Sequence, residues 1–157
     1  MRLITAPITG QESPADSESP LAALVQFYRA FNTRDIELMS RTWLQSDDAS
    51  LSNPVGGGVR RGWDAIAALY HRLFNGPGRV QVEFFDYSLH QTEDMFIAVG
   101  RERGTFNSDE AELTLEIRTS RTYLKTNSGW RQLHHHGSIE DSALLDDYQK
   151  AIALIYR

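Results

Sequence analysis

The chain has 157 residues, no cysteine and a formal net charge of -5 at pH 7. Its length suits one domain with a sizeable core, and the missing cysteines exclude a disulfide framework, a thiolate metal site and a thiol nucleophile. Scattered basic residues in an acidic chain argue against a nucleic-acid partner, and no apolar run approaches the roughly 20 residues needed to span a bilayer, so a soluble cytoplasmic protein without a membrane partner is expected.

The opening segment, MRLITAPITGQESPADSE, lacks the apolar centre of a secretion signal and is rich in Ser, Pro, Glu and Asp. It reads as a flexible lead-in over residues 1–18, ahead of a single domain over 19–157. Ser19-Pro20 then marks a helix start: a capping hydroxyl, followed by a proline whose missing N–H costs nothing at that position. Leu21, Leu24, Val25, Tyr28 and Phe31 form one apolar stripe. Asp35 can cap a second helix whose buried side is Ile36, Met39 and Trp43.

A short alternating segment, Ala49 to Asn53, leads into Pro54 and the triplet Gly56-Gly57-Gly58. No strand-glycine-helix fingerprint surrounds that triplet, so it reads as an open loop rather than a phosphate cradle. In GWDAIAALYHRLFNGPG (residues 62–78), Ile66, Leu69, Tyr70, Leu73 and Phe74 make the apolar face of a third helix, which Asn75-Gly76-Pro77-Gly78 stops. From residue 79 the period changes to two. Val80, Val82 and Phe84 alternate with polar neighbours, and residues 95–106, 112–124 and 130–139 also read as strands, joined by turns such as Thr126-Asn127-Ser128-Gly129. Consecutive long strands imply an antiparallel meander. A last helix begins near Glu140, with Leu144, Tyr148, Ile152 and Ile155 on one side and capping-box spacing between Ser138 and Asp141. Helices followed by a curled antiparallel sheet make an α+β domain.

The order of these segments resembles the nuclear transport factor 2-like superfamily, and within it the SnoaL-like and ketosteroid-isomerase-like branch. The resemblance is carried by Asp35-Ile36-Glu37, DDASLSNPVG (47–56) and RGWDAIAALYHRLF (61–74). RTYLKTNSGWRQLHHHGS (121–138) is similar to the closing hairpin of the calcium/calmodulin-dependent kinase II association domain. Together these cover about residues 20 to 139. The resemblance implies a cystatin-like cone in which N-terminal helices and the concave side of a curved sheet enclose an apolar pocket, while the outer side of the sheet pairs two subunits. The C-terminal helix departs from the shortest members of the family.

Strand parity divides the histidine triplet. Leu133, His135, Gly137 and Ile139 share one side, and Trp130, Gln132, His134, His136 and Ser138 share the other. The resemblance turns the first set toward the pocket, with Thr119, Arg121 and Tyr123 of the neighbouring strand. Adjacent strand residues cannot converge on one ion, so His134 and His136 could supply at most two metal ligands and otherwise belong to a dimer face. No metal and no cofactor is expected; no residue pattern signals nucleotide, flavin or haem. His135 reads either as a pocket acid or base or as a satisfied core histidine. Arg121 matches an arginine of the kinase domain's ligand pocket. It would either clamp an anion or pair internally with a carboxylate such as Glu102, since an unpaired buried charge is costly.

The isomerase chemistry itself does not carry over. The position matching the base of ketosteroid isomerase is Asn53, that of the oxyanion tyrosine is Phe27, and the second acid falls near Ile117, with Glu116 of the wrong parity. Tyr70 matches the supporting tyrosine. The expected ligand is a small apolar molecule bearing a carbonyl or carboxylate, met by Asn53, Tyr70 and Arg121 and by the apolar Phe27, Phe31, Trp43 and Leu133. His135 would be the acid or base if the molecule is turned over in a proton-transfer isomerisation, cyclisation or (de)hydration. A non-catalytic binder and an oligomerisation module are the alternatives. Trp43, Trp63, Phe84 and Phe85 also fit simple packing.

Overall fold

The structure, a computed structural model, describes residues 2–4 and 6–155. Its elements run β1 (Arg2–Ile4), α1 (Pro20–Thr33), α2 (Ile36–Thr42), β2 (Ser50–Ser52), β3 (Arg60–Arg61), α3 (Trp63–Asn75), β4 (Arg79–Gln91), β5 (Met95–Asn107), β6 (Glu112–Thr126), β7 (Gly129–Ser138) and α4 (Ser142–Ile155). The strands form a seven-stranded sheet in the order β1-β4-β5-β6-β7-β2-β3. Strands β4 to β7 are the expected antiparallel meander, whereas the short β2 joins β7 in parallel. Among the described residues, no helix is long and apolar enough to cross a membrane.

Local chemistry accounts for the helix boundaries. The Ser19 side chain accepts from the Ala22 N–H at 3.1 Å, and Asp35 accepts from the Leu38 N–H at 2.9 Å, each satisfying a donor that the first turn leaves without an intrahelical partner. The stripe of α1 buries Leu24, Val25, Phe27 and Tyr28 against the sheet, at roughly 1.5–3 kcal/mol for each large apolar side chain. Helix α4 starts at Ser142, two residues later than expected, because Asp141 is itself the cap. Its carboxylate accepts from the Leu144 N–H at 3.0 Å, while Ser138 stays in β7 and accepts from Arg118. Tyr148 is buried on the inner side of α4. The side chain of Ile155, expected on the same stripe, lies outside the described residues.

The sheet curls for identifiable reasons. A bulge interrupts β4 between Phe85 and Ser88, where Asp86 takes a positive φ of 49°, and bulges sharpen local twist and bend the strand. At Gly104 of β5, an added Cβ would overlap the carbonyl oxygen of Gln81, so only glycine lets β4 approach this closely.

The stretch expected to be a flexible lead-in makes defined contacts over residues 8–12. Ile8 is 1% exposed and exchanges two backbone hydrogen bonds with Phe84, at 2.8 and 2.9 Å. Arg29 donates to the Gly10 carbonyl and Asn32 to the Thr9 carbonyl, tying the segment to α1. A single apolar residue in a polar stretch carries no periodicity, which is why composition alone gives no hint of this docking.

Candidate functional site

Between the helices and the concave side of the sheet lies a cavity of about 420 Å³, within the range of small-molecule sites. Phe27 and Phe31 of α1, Leu69, Tyr70 and Leu73 of α3, and Val80 and Val82 of β4 give it apolar walls. Its polar groups are Glu102, Arg121, His135, Asn53, Tyr70, Arg60 and Arg72.

The loop after β2 supplies another wall. The Asn53 side chain accepts from the Val55 N–H at 3.0 Å, and its carbonyl accepts from the Gly56 N–H at 2.9 Å, so Asn53 holds the turn while lining the cavity. Gly137 makes room for Pro54; a Cβ there would stand 2.9 Å from the proline Cδ. Helix α4 contributes Tyr148 and Ile152 to the lining and is latched to the loop by Gln149, which donates to the Val55 carbonyl at 2.8 Å. The sequence shows the apolar stripe of α4 but nothing that says where it docks.

Arg121 lies beside the cavity with its side chain 2% exposed, in an ion pair of 2.9 Å with Glu102, itself 7% exposed. Its remaining bonds go to Gln132 Oε1 at 2.9 Å and to the Tyr28 hydroxyl at 3.2 Å, while Tyr28 donates to Glu102 at 2.8 Å. The guanidinium also stands over the Phe27 ring, 3.7 Å from its centroid. Of the two roles open to Arg121, the internal pair with Glu102 is the one present. Burial alone would lower the arginine's pKa, but Tyr28 and Glu102 carry it above its ordinary value. Burial drives Tyr28 well above the ordinary phenol range, with Glu102 adding to this and Arg121 opposing it. Burial likewise raises Tyr70 and Tyr123, against the pull of Arg121. All three hydroxyls therefore stay protonated.

His135 lines the same cavity at 7% exposure, and its Nδ1 has no hydrogen-bond partner among the described residues. Burial, helped by the nearby Arg121 charge, pushes its pKa well below the usual 6.5, a backbone bond to Ser120 offsetting this in part. The ring is neutral at neutral pH and can both accept and donate a proton. A pH dependence follows. The unfolded chain binds the His135 proton near pH 6.5, whereas the folded chain binds it only at much lower pH. Stability is thus complete above about pH 6.5 and falls as the pH drops toward the lowered folded value. His134, also lowered chiefly by burial, acts in the same direction. Urea midpoints between pH 7.5 and 5 should fall with pH in the native sequence and fall less in His135→Gln.

The other residues of the triplet divide differently. The Ser50 hydroxyl and His134 Nδ1 are hydrogen-bonded at 2.7 Å, His136 is exposed, and the two rings stand 6.5 Å apart. Among the described residues, no three His, Asp or Glu side chains gather in a way that could hold a metal ion.

Two of the residues expected at the ligand do not line the cavity. Register passes from Thr122↔His134 directly to Tyr123↔Gln132, so Leu133 sits unpaired in a bulge, half-buried and outside the cavity lining. That extra residue inverts the parity before it: Trp130 and Gln132 turn inward, opposite to strict alternation. Trp43 is fully buried but belongs to the core, bridging to Gln132 and packing on Tyr70 with ring centroids 6.4 Å apart. Asn53, Phe27 and Ile117, which the resemblance matches to the isomerase base, oxyanion and second-acid positions, all line the cavity, while Glu116 is exposed.

Comparison with known proteins places this geometry. No curated protein matches the sequence. Among solved structures, a provisionally assigned calcium/calmodulin-dependent protein kinase type II association domain from Thiobacillus denitrificans is 25% identical, with a TM-score of 0.63 over 78% of this chain and 96% of that one. A provisionally named dehydratase of the nuclear transport factor 2-like family from Streptomyces avermitilis is 21% identical, with a TM-score of 0.70 over 77% and 93%. The calcium/calmodulin-dependent kinase II hub of S. rosetta is 17% identical, with a TM-score of 0.66 over 81% and 99%. The cone fold is common to all of them. The model of the SnoaL-like domain matches residues 21–142, most of the chain and every wall of the cavity except Tyr148 and Ile152, and this protein therefore belongs to the SnoaL-like family.

Proposed function

We propose that the cavity binds a small apolar molecule carrying an oxygen function, and that His135 moves a proton on it in an isomerisation, cyclisation or (de)hydration. The observation that supports this most is a neutral imidazole, nine-tenths buried, whose Nδ1 has no hydrogen-bond partner among the described residues and which lines an apolar cavity of about 420 Å³. In such a site, His135 acts as the base toward an acidic C–H, and the Tyr70 hydroxyl and Asn53 amide polarise the ligand oxygen. With Asn53 and Phe27 at the positions that match its base and its oxyanion tyrosine, this reading does not use the carboxylate base and tyrosine donor of ketosteroid isomerase.

Hydrogen–deuterium exchange at the α-carbon of cyclic ketones and enones, followed by NMR in D₂O, tests this reading. The native protein should accelerate exchange, and His135→Gln should lose about 100-fold or more of that acceleration while keeping its fold. Binding without exchange in the native protein would leave only a carrier.

The outer side of the sheet supports a homodimer. Val99 is 44% exposed there, two residues along the strand from the half-buried Ile97, and two of the structural relatives are association or hub domains. Sedimentation equilibrium should give twice the chain mass, and Val99→Glu should give monomers. An assembly that persists in a protein responding to no ligand would favour the oligomerisation module over the enzyme.

A further inference from the structure

We propose that this cavity selects an uncharged ligand, a ketone, enone or alcohol rather than a carboxylate, and that Glu102 is the residue that sets the preference. The inference deepens the reading of the cavity as a ligand site and rests on it. An arginine in an apolar cavity invites an anion, but the partners of this one are already in place. Each guanidinium nitrogen has a bond: Nη2 to Glu102 at 2.9 Å, Nη1 to Gln132 at 2.9 Å and Nε to Tyr28 at 3.2 Å. Its face is covered by Phe27.

A ligand carboxylate at Arg121 would have to displace Glu102 or sit beside it. The first leaves a buried carboxylate without its cation, and the second brings two like charges together where water does not screen them. His135 offers a donor or an acceptor but no positive charge. Arg60 is half-buried and Arg72 exposed, so solvent and salt weaken what they can offer an anion. A neutral carbonyl avoids every one of these costs. It can accept from Tyr70 or from His135 without disturbing the ion pair.

Isothermal titration at pH 7.5 with two probes of matched shape, 2-acetylnaphthalene and 2-naphthoate, tests the preference. The native protein should bind the ketone about 30-fold or more tightly than the acid. Glu102→Gln keeps a hydrogen-bonding side chain but frees the arginine charge, so the ratio should fall by about tenfold or more. Its thermal midpoint should then rise with naphthoate, whereas that of the native protein should not. Equal or tighter binding of naphthoate by the native protein would overturn the proposal, as would an unchanged ratio in a folded Glu102→Gln. If that variant does not fold, the native ratio decides by itself. Binding of neither probe would instead sink the ligand reading on which the proposal stands.

Discussion

Glu102→Leu should lower the unfolding free energy by about 3–5 kcal/mol, the usual cost of leaving a buried charge without its partner. The 2.9 Å pair with Arg121 is almost wholly out of solvent, and an arginine cannot escape by losing its proton. The complementary change, Arg121→Met, should cost less, because a stranded carboxylate can take up a proton instead. The double variant, Glu102→Leu with Arg121→Met, removes both charges and should recover most of the loss, coming within about 1 kcal/mol of the native protein. Tyr28 and Gln132, each bonded to the pair, keep it from full recovery. Urea midpoints of the four proteins form a double-mutant cycle. Additive losses would mean that the two side chains act independently and that the buried network has been misread.

Filling the cavity gives the second large effect. Ile117 lies on the inner side of β6 and lines the cavity, so Ile117→Phe adds volume where the interior is hollow. In a hollow interior the larger ring should stabilise the fold by roughly 0.5–2 kcal/mol, as cavity-filling changes do. In a filled core the same change should cost roughly 1–3 kcal/mol through strain. Affinity for 2-acetylnaphthalene should fall by at least about tenfold, equivalent to roughly 1.4 kcal/mol. The sign of the stability change reports on the void, and the affinity reports on its use.

Particular residues show what could be read in advance. Ser19-Pro20 and Asp35 announce α1 and α2 because capping is a local matter, settled within a few residues of chain. The period-two runs from Val80 onward place β4 to β7 because each strand must bury one side. His135 and Arg121 fall on the inner side as parity requires, but Leu133, two residues from His135, does not. One extra residue in β7 resets the alternation, and no local sequence signal marks a bulge of this kind. Trp43 had the right size for a pocket wall and the wrong place. Its position past the end of α2 is set by the bridge to Gln132, a tertiary matter. The Tyr28–Glu102–Arg121–Gln132 network joins α1 to the distant strands β5, β6 and β7, and Tyr28 reads from the chain only as one more residue of an apolar stripe. The docking of α4 over the cavity through Gln149 depends in the same way on a loop, Val55 to Val59, whose glycines leave its path open.

A crystal structure of the protein grown with 2-acetylnaphthalene tests the central claim most directly. The account predicts the probe inside the cone, between Phe27, Tyr70 and Tyr148, with its carbonyl oxygen within hydrogen-bond distance of His135 or Tyr70 and the Arg121–Glu102 pair intact. A centre plugged by Phe27, Phe31 and Trp43, or a His135 ring facing solvent, would contradict it.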